Sequence, residues 1–281
     1  MQRRPLLIAA VAVAAVVAGL GCRSAPAGDR ADPPRAEPAS GRLLRVLFIG
    51  NSYTYYNNLP AVFTAVARAG GHAVEAEMIA PGGQTLGQHW DNEATRRAVR
   101  DGRWDVVVLQ EQSTLGVMQF PDGVPQVTTD EVFVPRARAW IAEIRAAGAR
   151  PVLYATWARA RRPQDQAALD AAYAKAAGTD AVVAPVGDAW AAYPERASLY
   201  HDDGSHPRAA GTYLAACVLY ATIVPGASLE RSPTTITGDA VDLTIEAVVP
   251  GRTATLVELP AATATALQRA AAIAVGETRS P

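Results

Sequence analysis

Cysteine is scarce in this sequence, which has only Cys22 and Cys217 among its 281 residues. A small exported domain held together by disulfides would carry a larger set of paired cysteines, and this chain offers no such framework. Cys217 falls within an apolar helical pattern, where a buried thiol needs no partner. A chain of this length can bury a sizeable core without crosslinks, so the fold must come from packing.

An excess of charge of one sign is also lacking, because 26 basic and 27 acidic residues leave a formal net charge of −1. This balance gives no electrostatic indication of a nucleic-acid partner. His201, Asp202, Asp203 and His206 lie close enough in the sequence to bind a metal, but no other His or Cys cluster completes a zinc coordination sphere. We therefore predict no metal and no cofactor, and a metallohydrolase is the less favoured alternative.

The sequence has no hydrophobic run long enough to be a typical membrane-spanning helix. Arg3 and Arg4 precede an apolar run from Leu6 to Val17, which is shorter than the roughly 20 residues that a span requires. Small residues follow the run and lead to Cys22. This order of basic, apolar and small residues predicts that residues 1–21 are a signal peptide, with a permanent anchor helix as the weaker alternative.

The stretch that ends at Cys22, Ala-Gly-Leu-Gly-Cys, resembles the lipobox of bacterial lipoproteins, whose cysteine becomes the lipidated first residue of the mature chain. Gly19 stands where that motif usually has leucine, and Leu20 follows one position later. Residues 22–42 contain too few large apolar groups to fold and are predicted to be a flexible tether. We expect an exported, lipid-anchored protein that faces the periplasm or the cell exterior; ordinary cleavage beside a stray cysteine is the alternative.

Residues 43–281 are predicted to form one domain of the α/β class, because short β-branched runs alternate with longer helical patterns. We expect three α/β/α layers around a five-stranded parallel, flavodoxin-like sheet. The predicted strands are Leu44–Ile49, Ala73–Ile79, Asp105–Leu109, Pro151–Ala155 and Ala181–Pro185. Helical spacing extends over Leu59–Ala69, Glu93–Arg100, Val132–Ala147, Pro163–Ala177 and Pro207–Thr222. Right-handed crossovers bring the carboxyl ends of such strands to one edge of the sheet, where ligands bind.

The pattern changes near the carboxyl terminus. Two strand-like segments, Ala240–Val249 and Thr253–Leu259, flank Pro250-Gly251, and a last helical segment covers Ala262–Val275. Pro-Gly dipeptides mark turns. The sequence therefore predicts a β-hairpin followed by a packing helix.

The first candidate functional residue is Ser52, in the stretch Gly50-Asn51-Ser52-Tyr53-Thr54 that directly follows the first predicted strand. This position places a hydroxyl at the edge of the sheet where ligands bind. Gly50 allows the close approach of backbone to a ligand, and amides after the strand can point at a developing oxyanion. The structural alternative is a serine at the start of a helix.

The second candidate is the segment from His201 to Pro207, in which Asp203 and His206 have the spacing Asp-x-x-His. A single loop can then present both an imidazole and the carboxylate that orients it. A hydroxyl is a weak nucleophile until a positioned base accepts its proton, and histidine can do so near neutral pH. Together the two segments predict that Ser52 is a nucleophile with His206 as its general base.

From Leu44 to Thr222 the chain resembles the SGNH hydrolases, also called GDSL-type esterases, and its first and last blocks carry the resemblance. The resemblance implies a serine esterase with Ser52, Asp203 and His206 as catalytic residues. It also implies an oxyanion hole that includes the amide of Ser52 and a glycine after the second strand, for which Gly83 is the first choice and Gly82 the second.

After the third strand the family usually has Gly-x-Asn-Asp, whereas this chain has Gln-Glu-Gln-Ser at 110–113. In strand register Gln112 falls where the oxyanion-binding asparagine would stand, and its amide could donate the same hydrogen bond. A non-catalytic carbohydrate-binding lipoprotein on the same fold is the rival interpretation, because this block is altered.

Three segments, Gly50–Thr54, Gln110–Ser113 and Thr156–Ala158, are similar to a branch of the superfamily that includes carbohydrate-directed esterases. The similarity implies cleavage of an O-acetyl or other acyl ester on a carbohydrate. Aromatic faces can stack on sugars, so we predict substrate contacts from Tyr53, Trp90 and Trp157, of which Trp157 is the first choice. Tyr55 and Tyr56 are further candidates, and ordinary packing is the alternative for each of these rings. Arg159, Arg161 and Arg162 form a basic loop, which solvation explains; steering of an anionic polysaccharide is a minor alternative.

Overall fold

The computed structural model describes residues 41–117, 120 and 123–278. Its central sheet has five parallel strands in the order β2-β1-β3-β4-β5. Every strand begins within one residue of its predicted start and ends at its predicted last residue. The strands are β1 (Leu44–Ile49), β2 (Val74–Ile79), β3 (Val106–Leu109), β4 (Arg150–Ala155) and β5 (Val182–Pro185). The predicted signal peptide, Cys22 and the tether as far as residue 40 lie outside the described residues.

The helices match the predicted crossovers, and short helices are added where the sequence pattern was too brief to recognise. The predicted segment 163–177 begins with a 3₁₀ turn at Pro163–Asp165, so its α-helix starts only at Gln166. The helices are α1 (Ser52–Tyr55), α2 (Leu59–Ala69), α3 (Leu86–Asp91), α4 (Glu93–Asp101), α5 (Phe133–Ala146), α6 (Gln166–Ala177), α7 (Val186–Ala192), α8 (Ala209–Ile223) and α9 (Ala261–Thr278).

Two hydrophobic clusters cover the two faces of the sheet. Successive side chains of a strand point to opposite faces, so Val46 and Phe48 of β1 enter one cluster while Leu47 and Ile49 enter the other. Apolar residues of α2, α7, α8 and α9 complete the first cluster, and those of α3, α4, α5 and α6 complete the second. The predicted three-layer α/β/α architecture is therefore confirmed.

Helix α8 is apolar on all sides because it packs against α2, α9 and the sheet at once. Cys217 lies on this helix, fully buried, and burial raises the pKa of its thiol. Across residues 41–117, 120 and 123–278, no helix combines the length and the apolar character needed to cross a bilayer.

The carboxyl-terminal hairpin is present, but the predicted position of its turn was wrong. The chain reverses at residues 243–246, where the carboxylate of Asp242 accepts a hydrogen bond of 2.9 Å from the amide of Thr244. Pro250-Gly251 lies inside the second strand at a shift of the pairing register, and the Gly251 amide donates to Asp239. The dipeptide thus forms an irregular bulge, and the ribbon consists of β6 (Thr235–Asp242) and β7 (Ala247–Glu258).

Candidate active site

Ser52 lies immediately beyond the carboxyl end of β1, as the first residue of α1. Asn51 caps this short helix by accepting a hydrogen bond from the amide of Tyr53. A Cβ atom at Gly50 would come within 2.5 Å of the side chains of Gln110 and Thr54, so only glycine fits this close approach. The strand, the glycine and the cap together fix the serine at the edge of the sheet.

The loop that carries Asp203 and His206 is ordered by its own hydrogen bonds. One carboxylate oxygen of Asp203 accepts from the amides of Ser205 at 2.8 Å and His206 at 2.9 Å. Gly204 has a φ of +68°, a conformation that favours glycine. The predicted Asp-x-x-His spacing therefore corresponds to a tight turn in which the carboxylate faces the histidine.

The structure brings these two segments together. Nε2 of His206 lies 2.8 Å from the Ser52 hydroxyl oxygen. Nδ1 of the same ring is hydrogen-bonded to the second carboxylate oxygen of Asp203. Partial burial would raise the pKa of Asp203, but hydrogen bonds from the His206 ring and from the amides of Ser205 and His206 lower it to about 2.

The low pKa of Asp203 determines the roles of the other two groups. An ionised carboxylate only accepts hydrogen bonds, so the hydrogen of the neutral His206 ring is on Nδ1. Nε2 is then an acceptor for the Ser52 hydroxyl. This arrangement can remove a proton from Ser52 as its oxygen attacks an electrophile, and it can stabilise the resulting imidazolium.

Two tyrosines hold the imidazole ring in place. Tyr56 stacks on His206 with ring centroids 4.3 Å apart and an interplanar angle of 9°. Tyr53 meets the ring edge-on at 5.8 Å, and its hydroxyl is hydrogen-bonded to the Ser205 hydroxyl at 2.6 Å. The orientation of His206 therefore depends on packing as well as on Asp203.

The groups predicted to bind an oxyanion lie around the same cleft, which has a volume of about 300 Å³ and is lined by Ser52, Gly82, Gly83 and Gln112 among others. Gly83 has a φ of +68° and open space at its Cβ position. A Cβ at Gly82 would instead come within 2.0 Å of the Glu246 carboxylate. Gly82 thus allows the hairpin tip to approach, which leaves Gly83 as the first choice for an oxyanion donor.

The amide of Gln112 is oriented by its neighbour. Its oxygen accepts a hydrogen bond of 2.7 Å from the amide of Thr114 and lies 2.6 Å from the Thr114 hydroxyl, which also contacts the Val117 carbonyl at 2.5 Å. Because a backbone amide can only donate, the oxygen of Gln112 is directed towards Thr114 and the NH₂ group takes the other position. One long contact of 3.3 Å connects that nitrogen to the Ser113 hydroxyl. The NH₂ group therefore retains a hydrogen for a ligand in the cleft.

Sequence reasoning gave no role to Gln110 and Glu111, which the structure places directly behind the cleft. The Gln110 side chain accepts from the amide of Asn51 at 2.9 Å and donates to the Asn51 side chain at 2.9 Å. The Glu111 carboxylate accepts from the amides of Leu86 at 3.2 Å and Gln112 at 2.6 Å. Their polar character straight after a buried strand was the signal that could have identified them.

Glu111 is fully buried, and this burial raises the pKa of its carboxyl to about 8, although the amides of Gln112 and Leu86 oppose the shift. A carboxyl whose pKa is raised on folding contributes stability below its unfolded pKa, and this contribution is lost as the pH rises towards the folded value. The free energy of unfolding should therefore fall from about pH 4.5 to about pH 8 on account of Glu111.

We predict that Glu111→Gln flattens this pH dependence, because the neutral amide oxygen still accepts hydrogen bonds and cannot ionise. Urea unfolding at pH 5 and pH 9 measures the effect, with Glu75→Gln on the exposed edge strand as the control. Glu111→Ala should lower the free energy of unfolding by about 2–5 kcal/mol, since two buried amides lose their acceptor. An unchanged pH slope in Glu111→Gln would contradict the assignment.

The prediction that Trp157 and Trp90 contact substrate was wrong. Trp157 is fully buried between Tyr53, at 4.5 Å, and Trp190, at 3.9 Å. Trp90 is not part of the cleft and packs edge-on against Trp140 on the other face of the sheet. Stacking covers both faces of Trp157, and the position of Trp90 keeps its ring away from the cleft. Tyr53 does line the cleft, but with 4% of its surface exposed, and Tyr55 and Tyr56 line it as well.

Within the described ranges, no group of three or more His, Cys, Asp or Glu side chains is arranged to hold a metal ion. His201 meets Tyr56 edge-on at 6.4 Å, and Asp202 forms an exposed ion pair with Arg208.

Comparison with known proteins gives matches among solved structures. No protein-family model matches the sequence, and neither does any curated protein. A lipase/acylhydrolase from Enterococcus faecalis has 17% identity and a TM-score of 0.52, covering 66% of this chain and 98% of its own. A point mutant of an acetyl-xylooligosaccharide esterase from Geobacillus has 15% identity and a TM-score of 0.53, with coverage of 70% and 100%. These two show a shared fold.

A third structure is more similar in sequence. It is a protein from Slackia heliotrinireducens assigned to the SGNH hydrolases, with 30% identity and a TM-score of 0.53. The alignment covers 65% of this chain and the whole of that protein. Together with the sheet order and the position of Ser52 after β1, this similarity shows that the chain belongs to the SGNH hydrolase superfamily of ester hydrolases.

Proposed function

We propose that the protein is a serine esterase that removes O-acetyl or other short acyl groups from a carbohydrate. The observation that carries the proposal is the 2.8 Å contact between the Ser52 hydroxyl and Nε2 of His206, with Asp203 on the other ring nitrogen. Ester hydrolysis is the chemistry of the superfamily. The nucleophile, the base and the carbohydrate target are our assignments for this chain.

The reaction begins when His206 accepts the Ser52 proton as the serine oxygen attacks the ester carbonyl. The negative charge that develops on the carbonyl oxygen is stabilised by the amides of Ser52 and Gly83 and by the NH₂ group of Gln112. His206 then gives its proton to the departing sugar oxygen, and the acyl group stays on Ser52. Water, deprotonated by His206, attacks the acyl-enzyme and releases the acid, which regenerates the serine.

Two features support a short acyl group on a polar alcohol. The cleft of about 300 Å³ is at the small end of the usual range for ligand pockets. Its lining includes Asn51, Gln112, Ser113, Arg159 and Glu246, which suit a hydroxylated substrate better than a long alkyl chain. The structurally similar acetyl-xylooligosaccharide esterase acts on such a compound. Nitrophenyl esters of increasing chain length test the acyl preference, and a preference for long chains would contradict it.

A fluorophosphonate probe tests the role of Ser52 directly, because it forms a covalent bond only with an activated serine. We expect the wild-type protein to be labelled and Ser52→Ala to remain unlabelled. Ser205→Ala is the matched control, since Ser205 is a buried serine whose hydroxyl contacts Tyr53. If the folded wild-type protein is not labelled, the rival function of a non-catalytic carbohydrate-binding lipoprotein on the same fold is favoured.

The proposed location is a bacterial membrane, where acyl chains on Cys22 would anchor the domain through the tether so that it faces the periplasm or the cell exterior. We predict that Cys22→Ser releases the exported protein into the soluble fraction, because the predicted signal peptide is removed and no helix among the described residues could cross a bilayer. Cell fractionation followed by mass spectrometry of the amino terminus measures this. Retention of Cys22→Ser in the membrane after cleavage of the signal peptide would contradict lipidation as the anchor.

A further inference from the structure

Arg159 is the one residue lining the cleft whose positive charge is permanent. It follows β4 and forms no ion pair with any described residue, whereas Arg162 in the same loop pairs with Asp165 at 3.2 Å. Partial burial of a cation is unfavourable unless an opposite charge or strong acceptors compensate for it. The charge of Arg159 is therefore available to an anion that enters the cleft.

The backbone around Arg159 is fixed at three points. Ala158 donates its amide to the Gln166 side chain at 2.7 Å and accepts from the Tyr200 hydroxyl at 2.7 Å. The amide of Ala160 donates to the Gly204 carbonyl at 2.8 Å, which connects this loop to the one that carries His206. The arginine is thus positioned before a ligand arrives, and a ligand need not order the loop.

The guanidinium group of Arg159 uses only some of its N–H groups in hydrogen bonds to described residues. Its Nε and one terminal nitrogen donate to the Ser113 hydroxyl oxygen at 3.2 and 2.9 Å. A guanidinium has five N–H groups, so three remain, including one on each terminal nitrogen. Two parallel donors of this kind match the two oxygens of a carboxylate.

The strand order places the charge relative to Ser52. The sheet runs β2-β1-β3-β4, so Ser52 follows β1, Ser113 follows β3, and Arg159 reaches back to Ser113. One strand spacing is about 4.8 Å, which brings the guanidinium to within about one sugar ring of the serine. Glu246 lies on the opposite side, against Gly82 beyond β2. An anion on the substrate would therefore be attracted towards the β4 side and repelled from the β2 side.

We infer that Arg159 binds a carboxylate on the sugar that carries the ester, so that the preferred substrate is an acylated uronic acid. This inference rests on the proposed esterase function and adds to it the charge and the orientation of the substrate. Ser113 holds one edge of the guanidinium and leaves the other edge for the carboxylate. Glu246, on the β2 side of the cleft, would repel the carboxylate if the sugar bound in the reverse orientation.

The test compares acetate release from monoacetylated methyl galacturonoside with that from monoacetylated methyl galactoside. The two substrates differ only at C6, where the first has a carboxylate and the second a hydroxymethyl group. We expect the wild-type kcat/KM to be at least tenfold higher for the galacturonoside. Arg159→Gln should lower the galacturonoside value at least tenfold more than it lowers the galactoside value, so that the preference is lost. Arg161→Gln is the matched control, because Arg161 is exposed on the same loop and does not line the cleft.

Equal losses on both substrates, or no loss on either, would overturn the inference. A third substrate, the acetylated galactoside 6-phosphate, separates carboxylate from phosphate: a preference for it over the galacturonoside would overturn the assignment of a carboxylate. Calorimetric binding of unacetylated methyl galacturonoside to Ser52→Ala, with and without Arg159→Gln, does not depend on turnover. If the galacturonoside binds only when Arg159 is present but no ester is hydrolysed, the esterase function is refuted and the anion site is retained. If esters are hydrolysed with no preference for the charged substrate, the anion site is refuted and the esterase function is retained.

Discussion

Asp203→Asn is expected to lower kcat by about three to four orders of magnitude while leaving the fold and KM nearly unchanged. The carboxylate accepts a hydrogen bond from Nδ1 of His206 and fixes the tautomer in which Nε2 faces Ser52. An asparagine can donate to Nδ1, which favours the tautomer with the hydrogen on Nε2, and it provides no negative charge to stabilise the imidazolium. Replacing this carboxylate by an amide in a Ser-His-Asp triad lowers kcat by about 10⁴. The effect belongs to the transition state, so it should appear in kcat.

Asp202→Asn is the matched control for this prediction. Asp202 is the neighbouring residue with the same chemistry, its side chain is 84% exposed, and it pairs with Arg208 at the surface. Exposed pairs of this kind contribute about 0–1 kcal/mol. Steady-state kinetics on a short-chain ester should therefore show a change of less than threefold. If Asp202→Asn inactivates the protein and Asp203→Asn does not, the assignment of the acid is incorrect.

Gln112→Ala is expected to lower kcat by about 10²–10³, the usual loss when one oxyanion donor is removed. The backbone amide of Thr114 orients the Gln112 side chain by donating to its oxygen, so the NH₂ group is in position before the charge develops. Gln112→Glu is a more specific test, because it keeps the length of the side chain and replaces the donor with an acceptor. It should lose at least as much activity as Gln112→Ala.

Thermal unfolding of both Gln112 variants separates a loss of catalysis from a loss of folding. Gln112→Ala leaves the buried amide of Thr114 without its acceptor, so we expect a lower melting temperature, and the kinetics are measured at a temperature at which the variant is folded. The side chain of Gln112 is 8% exposed and makes its internal contacts with its own loop. A kcat within threefold of the wild-type value in Gln112→Ala would show that the altered block after β3 contributes no oxyanion donor.

The parts of the fold that could be predicted are those determined by local pattern. Strands β1 and β3 are short apolar runs because both of their faces are covered, and such runs end where the covering helices stop. The carboxyl ends of parallel strands share an edge, so Ser52 and the loop with His206 could be expected to meet although 153 residues separate them.

The parts that could not be predicted depend on packing between distant residues. Nothing near Trp157 in the sequence reveals that Tyr53 and Trp190 cover its two faces. The sequence placed the turn of the hairpin at Pro250-Gly251 because this dipeptide has the composition of a turn. In the structure the dipeptide lies within β7, where it forms a bulge in the pairing with β6. Burial of Glu111 likewise depends on α3, which lies 25 residues away in the sequence at Leu86.

The stacking of Tyr56 on His206 has a consequence for the energy profile of the reaction. A neutral imidazole gains only dispersion from the aromatic face at 4.3 Å, but a protonated one becomes a cation above the electron-rich ring. Such cation–π contacts contribute about 0.5–2 kcal/mol. In the proposed mechanism His206 gains a second ring proton when the tetrahedral species forms, so the face of Tyr56 stabilises that species more than the state before proton transfer. On that mechanism Tyr56 contributes to the reaction as well as to packing, unlike the tyrosines that pack only in the core.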